Sequence, residues 1–281
     1  MLSYKTIGGN LIDKSPEKIQ KMFDTISDKY DFLNNIMSFG TQIFIKKDCI
    51  NQLNSKEPLK ILDLCCGTGD LTRILRKKFP EAEVFGVDFS EDMLKIALNK
   101  DFESEKLKVE SGKLSTTLAE KTEALPSPMG KVSEGRKGVG FNFPLSTFNF
   151  QLINFIQADA TNLPFPDNSF DIVTIGFGLR NIEDFDGALK EIYRVLKPNG
   201  EFLHLDFGEK NILNKIFDKI TPNLIKIFTK NNEAYSYLIQ SKQEFFAPDE
   251  LIKKFENKGF KFVKRKDYLL GAISCQIVLK S

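Results

Sequence analysis

From Leu59 onward the apolar and polar positions alternate between two periods. Short β-rich apolar runs, LKILDL (59–64) and AEVFGVD (82–88), are each followed by a helical pattern, DLTRILRKKF (70–79) and SEDMLKIALNK (90–100). The series resumes with INFIQAD (153–159), FDIVTIGFG (170–178), a helix near Phe185–Leu196 ended by Lys197-Pro198-Asn199-Gly200, and GEFLHLDF (200–207). Strand, helix and strand in regular succession predict a doubly wound, mostly parallel sheet of the α/β class. Two runs close in sequence, KFVKRKDYLL (261–270) and ISCQIVLK (273–280), pair antiparallel at the end of the chain. Residues 1–58 read as a helical cap on a domain that spans 59–281.

The interval from about 101 to 150 breaks the rhythm, because it carries the cluster LPSPMGKVSEGRKGVG and no apolar period. LKIALNK and NFIQADA join naturally once it is removed, so it is read as a disordered surface insertion.

Composition narrows the partners only slightly. The chain has 41% hydrophobic and 28% charged residues, ordinary for a soluble domain, and a net charge of +2 without a long single-sign block. Nucleic acid is therefore not an expected partner. The N-terminus lacks the apolar stretch of a signal peptide and no run of eighteen apolar residues occurs, so a cytoplasmic protein is expected. Cys49, Cys65, Cys66 and Cys275 have neither zinc-site spacing nor scaffold density, so reduced thiols with packing roles and no metal are expected.

Candidate chemistry gathers at strand ends. Ile61 to Asp70 runs from a strand through Gly67 and Gly69 into a helix, and these glycines admit close approach of a ligand. Thr72 stands where a dinucleotide fingerprint has its third glycine, which argues against pyrophosphate. Asp88 ends the next strand, where a carboxylate accepts from both ribose hydroxyls of an adenosine or else caps the helix that follows. Asp159 and Ala160 end a third strand, where an acidic side chain and a backbone amide can read adenine.

Together these segments resemble class I S-adenosylmethionine methyltransferases, a Rossmann-like fold with a mostly parallel seven-stranded sheet, one antiparallel strand and an N-terminal helical cap. Four further stretches, Lys29–Gly40 (KYDFLNNIMSFG), Leu163–Phe170 (LPFPDNSF), Phe177–Asn181 (FGLRN) and Tyr193–Gly200 (YRVLKPNG), resemble the ubiquinone/menaquinone biosynthesis C-methyltransferases. The resemblance covers nearly everything outside the insertion. It implies transfer of a methyl group from S-adenosylmethionine to a ring carbon of a polyprenyl benzoquinol or demethylmenaquinol, without a metal. Another small hydrophobic acceptor, or adenosyl binding without catalysis, are the alternatives. It also implies cofactor contacts at Asp63, Gly67, Thr68, Gly69, Asp88, Asp159, Ala160 and Gly176. An isoprenoid quinol substrate, contact with the inner membrane face and other quinone-biosynthesis enzymes are the implied partners. The chain departs from the family pattern at Gln42 and Ile45, where the family has His and Trp, at Gly176, commonly Ser, and at Leu205–Gly208, LDFG in place of LEFS.

For the reaction itself, Arg180 beside Asn181 is the first candidate to stabilise a phenolate, its competing role being a structural ion pair. Tyr30 and Asp31 belong to the family-specific segment and either close over the acceptor or pack within a helix. His204, the only histidine, points either into the crevice as a base or into the sheet packing. An apolar stripe from Ile212 to Phe228, interleaved with lysines, is either a membrane-facing surface or a helix packed on its own domain.

Overall fold

The computed structural model describes residues 13–37, 40–110, 153–209, 214, 237 and 240–281. The stripe at 212–228 and most of the interval at 101–150 lie outside the described residues. Two helices come first, α1 (Pro16–Met37) and α2 (Gln42–Ile50), and then the alternating units begin. These are β1 (Lys60–Leu64), α3 (Asp70–Lys78), β2 (Glu83–Asp88), α4 (Glu91–Glu110), β3 (Asn154–Gln157) and β4 (Phe170–Gly176). A single 3-10 turn at Leu179–Asn181 leads to α5 (Phe185–Val195) and β5 (Leu196–Phe207), and α6 (Pro248–Asn257), β6 (Phe260–Tyr268) and β7 (Ile273–Lys280) complete the domain.

Seven strands form one sheet in the order β3-β2-β1-β4-β5-β7-β6. All neighbours run parallel except β7, which is antiparallel to both β5 and β6. The expected α/β sheet with one antiparallel strand is therefore the observed one. Strand order reverses between β1 and β4, so the connections leaving their carboxyl ends diverge to opposite sides and open a crevice there.

Both faces of the sheet are covered, and that explains why its strands are apolar on both sides. On one face Leu62, Val173, Phe202 and Val278 pack against Leu189 and Ile192 of α5 and Leu251 and Phe255 of α6. On the other, Ile61, Ile172, Leu203 and Ile277 pack against Ile45 and Cys49 of α2 and Leu71 and Leu75 of α3. Each such side chain, fully buried, contributes roughly 1.5–3 kcal/mol. α5 follows from its apolar spacing at Phe185, Ala188, Leu189, Ile192 and Val195, and Asp184 caps it by accepting from Gly187 N at 2.9 Å.

Four features differ from the sequence reading. α4 runs on through Glu110 where a boundary near 101 is expected, because the polar stretch after Asp101 still carries good helix formers. Lys197–Gly200 ends α5 but does not separate it from β5: Leu196 already pairs with Phe170, and the register jumps to Ile172–Glu201, so these residues bulge out of the ladder. α6 has no counterpart in the reading, although Pro248 at its start and two acids in its first turn are ordinary start signals. The expectation of four reduced thiols is also corrected, since Cys49 and Cys275, 226 residues apart, form a buried disulfide where α2 lies on β7. Cys65 and Cys66 are free.

Candidate functional site

At the end of β1 the backbone turns sharply through Cys65, Gly67 and Gly69, with φ of 51°, 54° and 79°. Positive φ at both glycines is a conformation that a side chain would strain. The turn is held from the neighbouring strand end: Cys66 N donates to Val87 O at 3.0 Å, and Gly67 N donates to Asp88 Oδ2 at 2.8 Å. The other oxygen of Asp88 accepts from Ser90 N at 2.9 Å, so this carboxylate pins the glycine turn and the entry to α4 at once. Burial pushes its pKa up, while the backbone donors pull it back.

These groups line one cavity of about 180 Å³ along the carboxyl ends of β1, β2, β3 and β4. Its lining includes Gly67, Asp88, Met93, Ala158, Asp159 and Ala160, together with Lys14, Phe23, Gly176, Phe177 and Asn181. Asp159 Oδ1 accepts from both the amide and the hydroxyl of Thr161, each at 2.8 Å, which orients the carboxylate. Close packing keeps the crevice narrow: a Cβ on Gly178 would stand 2.3 Å from Cβ of Cys65. Carboxylates that include Asp88 and Asp159, apolar walls and a glycine turn suit a nucleoside with hydroxyls and an amino group to be bound. Among the described residues Lys14 is the one cation in the lining, so the donor set does not suit a pyrophosphate.

Of the residues singled out in the sequence, Gly67, Asp88, Asp159, Ala160, Gly176 and Asn181 come together around this cavity. Four others do not line it. Asp63 is buried beneath the turn, where its two oxygens accept from Thr72 Oγ1 at 2.6 Å and Thr174 Oγ1 at 2.7 Å, and burial pushes its pKa up to about 6. Thr68 donates its hydroxyl to Asp31 Oδ1 at 2.6 Å, and Gly69 is the left-handed N-cap of α3. Arg180 lies behind the lining as a buried ion pair, its Nη1 donating to Asp206 Oδ1 at 2.6 Å and to Phe177 O at 2.8 Å. Its guanidinium also rests 5.1 Å from the ring centre of Phe207. Tyr30 belongs to α1, but its side chain lies outside the described residues.

The roof of the cavity is less legible in the sequence. Lys14, Ile19, Gln20 and Phe23 from the first helix and its approach close over the crevice. α1 is tied down by Ser90 Oγ, which donates to Asp24 Oδ1 at 2.5 Å, and by Asp31, which meets Thr68 and Lys100. Lys14 Nζ donates to the backbone oxygen of Arg180 at 2.8 Å, and burial lowers its pKa. Amphipathic spacing marks a helix with a face to bury and says nothing of what that face covers. No helix among the described residues is long and apolar enough to cross a membrane.

Comparison with known proteins adds a sequence-wide likeness. The model of the ubiE/COQ5 methyltransferase family matches residues 12–128 and 145–280. A demethylmenaquinone methyltransferase of Anoxybacillus flavithermus is 35% identical over 268 residues, which cover 93% of this chain and 94% of that protein. One from Geobacillus stearothermophilus is 33% identical over 94% of this chain and 97% of its own length. Among solved structures, an S-adenosylmethionine-dependent methyltransferase of Thermotoga maritima, described as a possible histamine N-methyltransferase, superposes with a TM-score of 0.56. At 17% identity over 93% of this chain and 99% of the other, it shares the fold alone.

Proposed function

The chain belongs to the ubiE/COQ5 methyltransferase family, and from that membership we propose that it methylates a ring carbon of a polyprenyl quinol, with demethylmenaquinol the first acceptor to test. The observation that carries this reading is the identity of 33–35% to demethylmenaquinone methyltransferases over more than nine-tenths of both chains. The cavity supports it independently, since a lining of carboxylates, apolar side chains and the glycine turn fits the donor. When bound, S-adenosylmethionine supplies an electrophilic methyl group on a sulfonium.

On this reading Asp88 accepts from the ribose hydroxyls, Asp159 and the amide of Ala160 read the adenine edge, and Met93 and Ala158 flank the base. Gly67 and Gly176 leave room for the remainder of the donor. Lys14 and Asn181 of the same lining face the acceptor. An ammonium withdrawn from water stabilises negative charge on a ring oxygen, which makes the adjacent carbon a better nucleophile. Arg180 acts from behind, fixing the Phe177–Asn181 turn through Phe177 O and Asp206. α1 excludes water, and holding the two reactants at attack distance contributes roughly 7–11 kcal/mol in favourable cases. The isoprenoid tail of such an acceptor brings the enzyme to the inner face of the membrane.

The test is transfer of labelled methyl from S-adenosylmethionine to reduced demethylated naphthoquinol and benzoquinol, with native chain, Asp88→Ala and Asn181→Ala. Product from a quinol is expected, abolished in Asp88→Ala together with donor binding. In Asn181→Ala turnover should fall while donor affinity is retained. Tight donor binding with no product from either ring would leave the methyltransferase family standing and overturn the quinol acceptor.

A further inference from the structure

Among the described residues five large apolar side chains are exposed: Phe44 (68%), Leu59 (69%), Leu98 (37%), Leu269 (45%) and Leu270 (86%). Exposed apolar residues scattered singly are ordinary, so placement matters here more than number. β7 runs antiparallel to β5 and therefore starts where β5 ends, so the hairpin from β6 to β7 turns at the carboxyl edge of the parallel strands. Gly208 N donates to Ala272 O at 2.8 Å and Glu209 N to Gly271 O at 2.7 Å, which fixes the tip of that hairpin beside the end of β5. The cavity lies along the same edge of the sheet.

Leu269 and Leu270 are the central residues of the turn, which Gly271 N closes by donating to Tyr268 O at 3.0 Å. Both have positive φ, 50° and 54°. Glycine or asparagine takes that conformation at less cost, yet two leucines hold it with their side chains exposed. α2 brings Phe44 to the same edge. It runs alongside α3, since Lys46 pairs with Asp70 at the start of α3 at 3.3 Å and Ile50 O accepts from Lys78 at its end at 2.7 Å. α3 begins at the glycine turn after β1, so α2 also begins at the carboxyl edge. One helical turn after Phe44, on the same side of α2, Asp48 accepts from the Tyr268 hydroxyl at 2.8 Å and pairs with Lys266 at 2.6 Å. Phe44 and the leucine pair thus belong to one side of the edge at which the cavity lies.

We infer that Phe44, Leu269 and Leu270 form a docking edge that inserts into a lipid bilayer and turns the carboxyl edge of the sheet toward it. The inference rests on the quinol reading, because an acceptor with an isoprenoid tail reaches the cavity from the bilayer. The three side chains project from a hairpin tip and the first turn of a helix and do not line a groove, which suits entry among acyl chains better than a mating protein surface. Lys47, exposed three residues after Phe44, and Lys266, whose side chain is 42% exposed, flank them with ammonium groups for anionic headgroups.

The chain has no tryptophan, so a single one reports its surroundings without background. In Leu270→Trp, vesicles of phosphatidylcholine and phosphatidylglycerol should move the emission to shorter wavelength, and brominated acyl chains should quench it. Leu59→Trp, just before β1 on the opposite edge of the sheet, should show neither effect. Replacing both Leu269→Asn and Leu270→Asn suits the left-handed turn, so the melting temperature should hold or rise while vesicle affinity falls about tenfold or more. That double variant should keep native turnover on a quinol with a short, soluble side chain and show a raised KM for a long-tailed quinol held in vesicles. Equal quenching at positions 59 and 270, or unchanged vesicle affinity in the double variant, overturns the proposal. Self-association of the native chain that the double variant abolishes, with vesicle affinity unaltered, overturns it in favour of a protein interface. Insertion of the tip without methylation of any quinol supports the docking edge and overturns the quinol reading.

Discussion

Asp63 shows how a residue can be central without touching a ligand. Burial raises its folded pKa to about 6, against 3.8 for an unperturbed carboxyl, even with two threonine hydroxyls donating to it. A folded value above the unfolded one favours the fold below the unfolded pKa, and that contribution disappears as pH rises through the folded value. Two units correspond to about 3 kcal/mol. Asp63→Asn, neutral throughout, should therefore gain about 3 kcal/mol relative to the native chain between pH about 4 and 7, read from urea midpoints at each pH. A constant difference across that range would mean that Asp63 is ionised at little cost. The residue types of the site were legible because Asp88, Asp159 and the glycines sit at strand ends. The partners of Asp63, Thr68 and Arg180 were not, because Thr174, Asp31 and Asp206 lie 111, 37 and 26 residues away and only folding brings them together.

Helix α1 is where an element, more than any one residue, decides function. It covers the crevice and is fastened by polar contacts that include Asp24 with Ser90 and Asp31 with Thr68 and Lys100. Hydrogen bonds to charged groups contribute about 1.5–3 kcal/mol. Asp31→Ala should accordingly weaken donor binding by about tenfold, equal to about 1.4 kcal/mol, while the melting temperature changes little. Calorimetric titration measures the first effect, and faster hydrogen exchange along the helix would show that the roof has loosened. Unaltered affinity would mean that apolar contacts through Phe23 and Ile19 suffice. Alternation of period exposed β1, β2, β4 and β7 in the sequence nearly to the residue. It gave no warning that Leu196 enters the ladder at once, since a bulge is set by the partner strand and not by local pattern.

At the scale of the molecule, the proposed donor site is assembled from the ends of four strands and the first helix, so binding would couple to the whole fold. A donor at about 100 times its Kd should stabilise the native state by about 2.7 kcal/mol and raise Tm by roughly 5–10 °C. The same addition should leave Tm of Asp88→Ala unmoved, as scanning fluorimetry would record. The α/β class and the single antiparallel strand follow from the order of periods along the chain. The roof does not, because its closure depends on where a helix docks. The strand order carries one more consequence, best put in genetic terms. β7 is inserted between β5 and β6, and among the described residues β6 pairs with no other strand. A stop codon just before Ile273 would remove β7, orphan β6 and bare the edge of β5 to other copies of the chain. A nonsense change at that point is then expected to be as damaging as one near the first strand, with aggregated rather than merely inactive product.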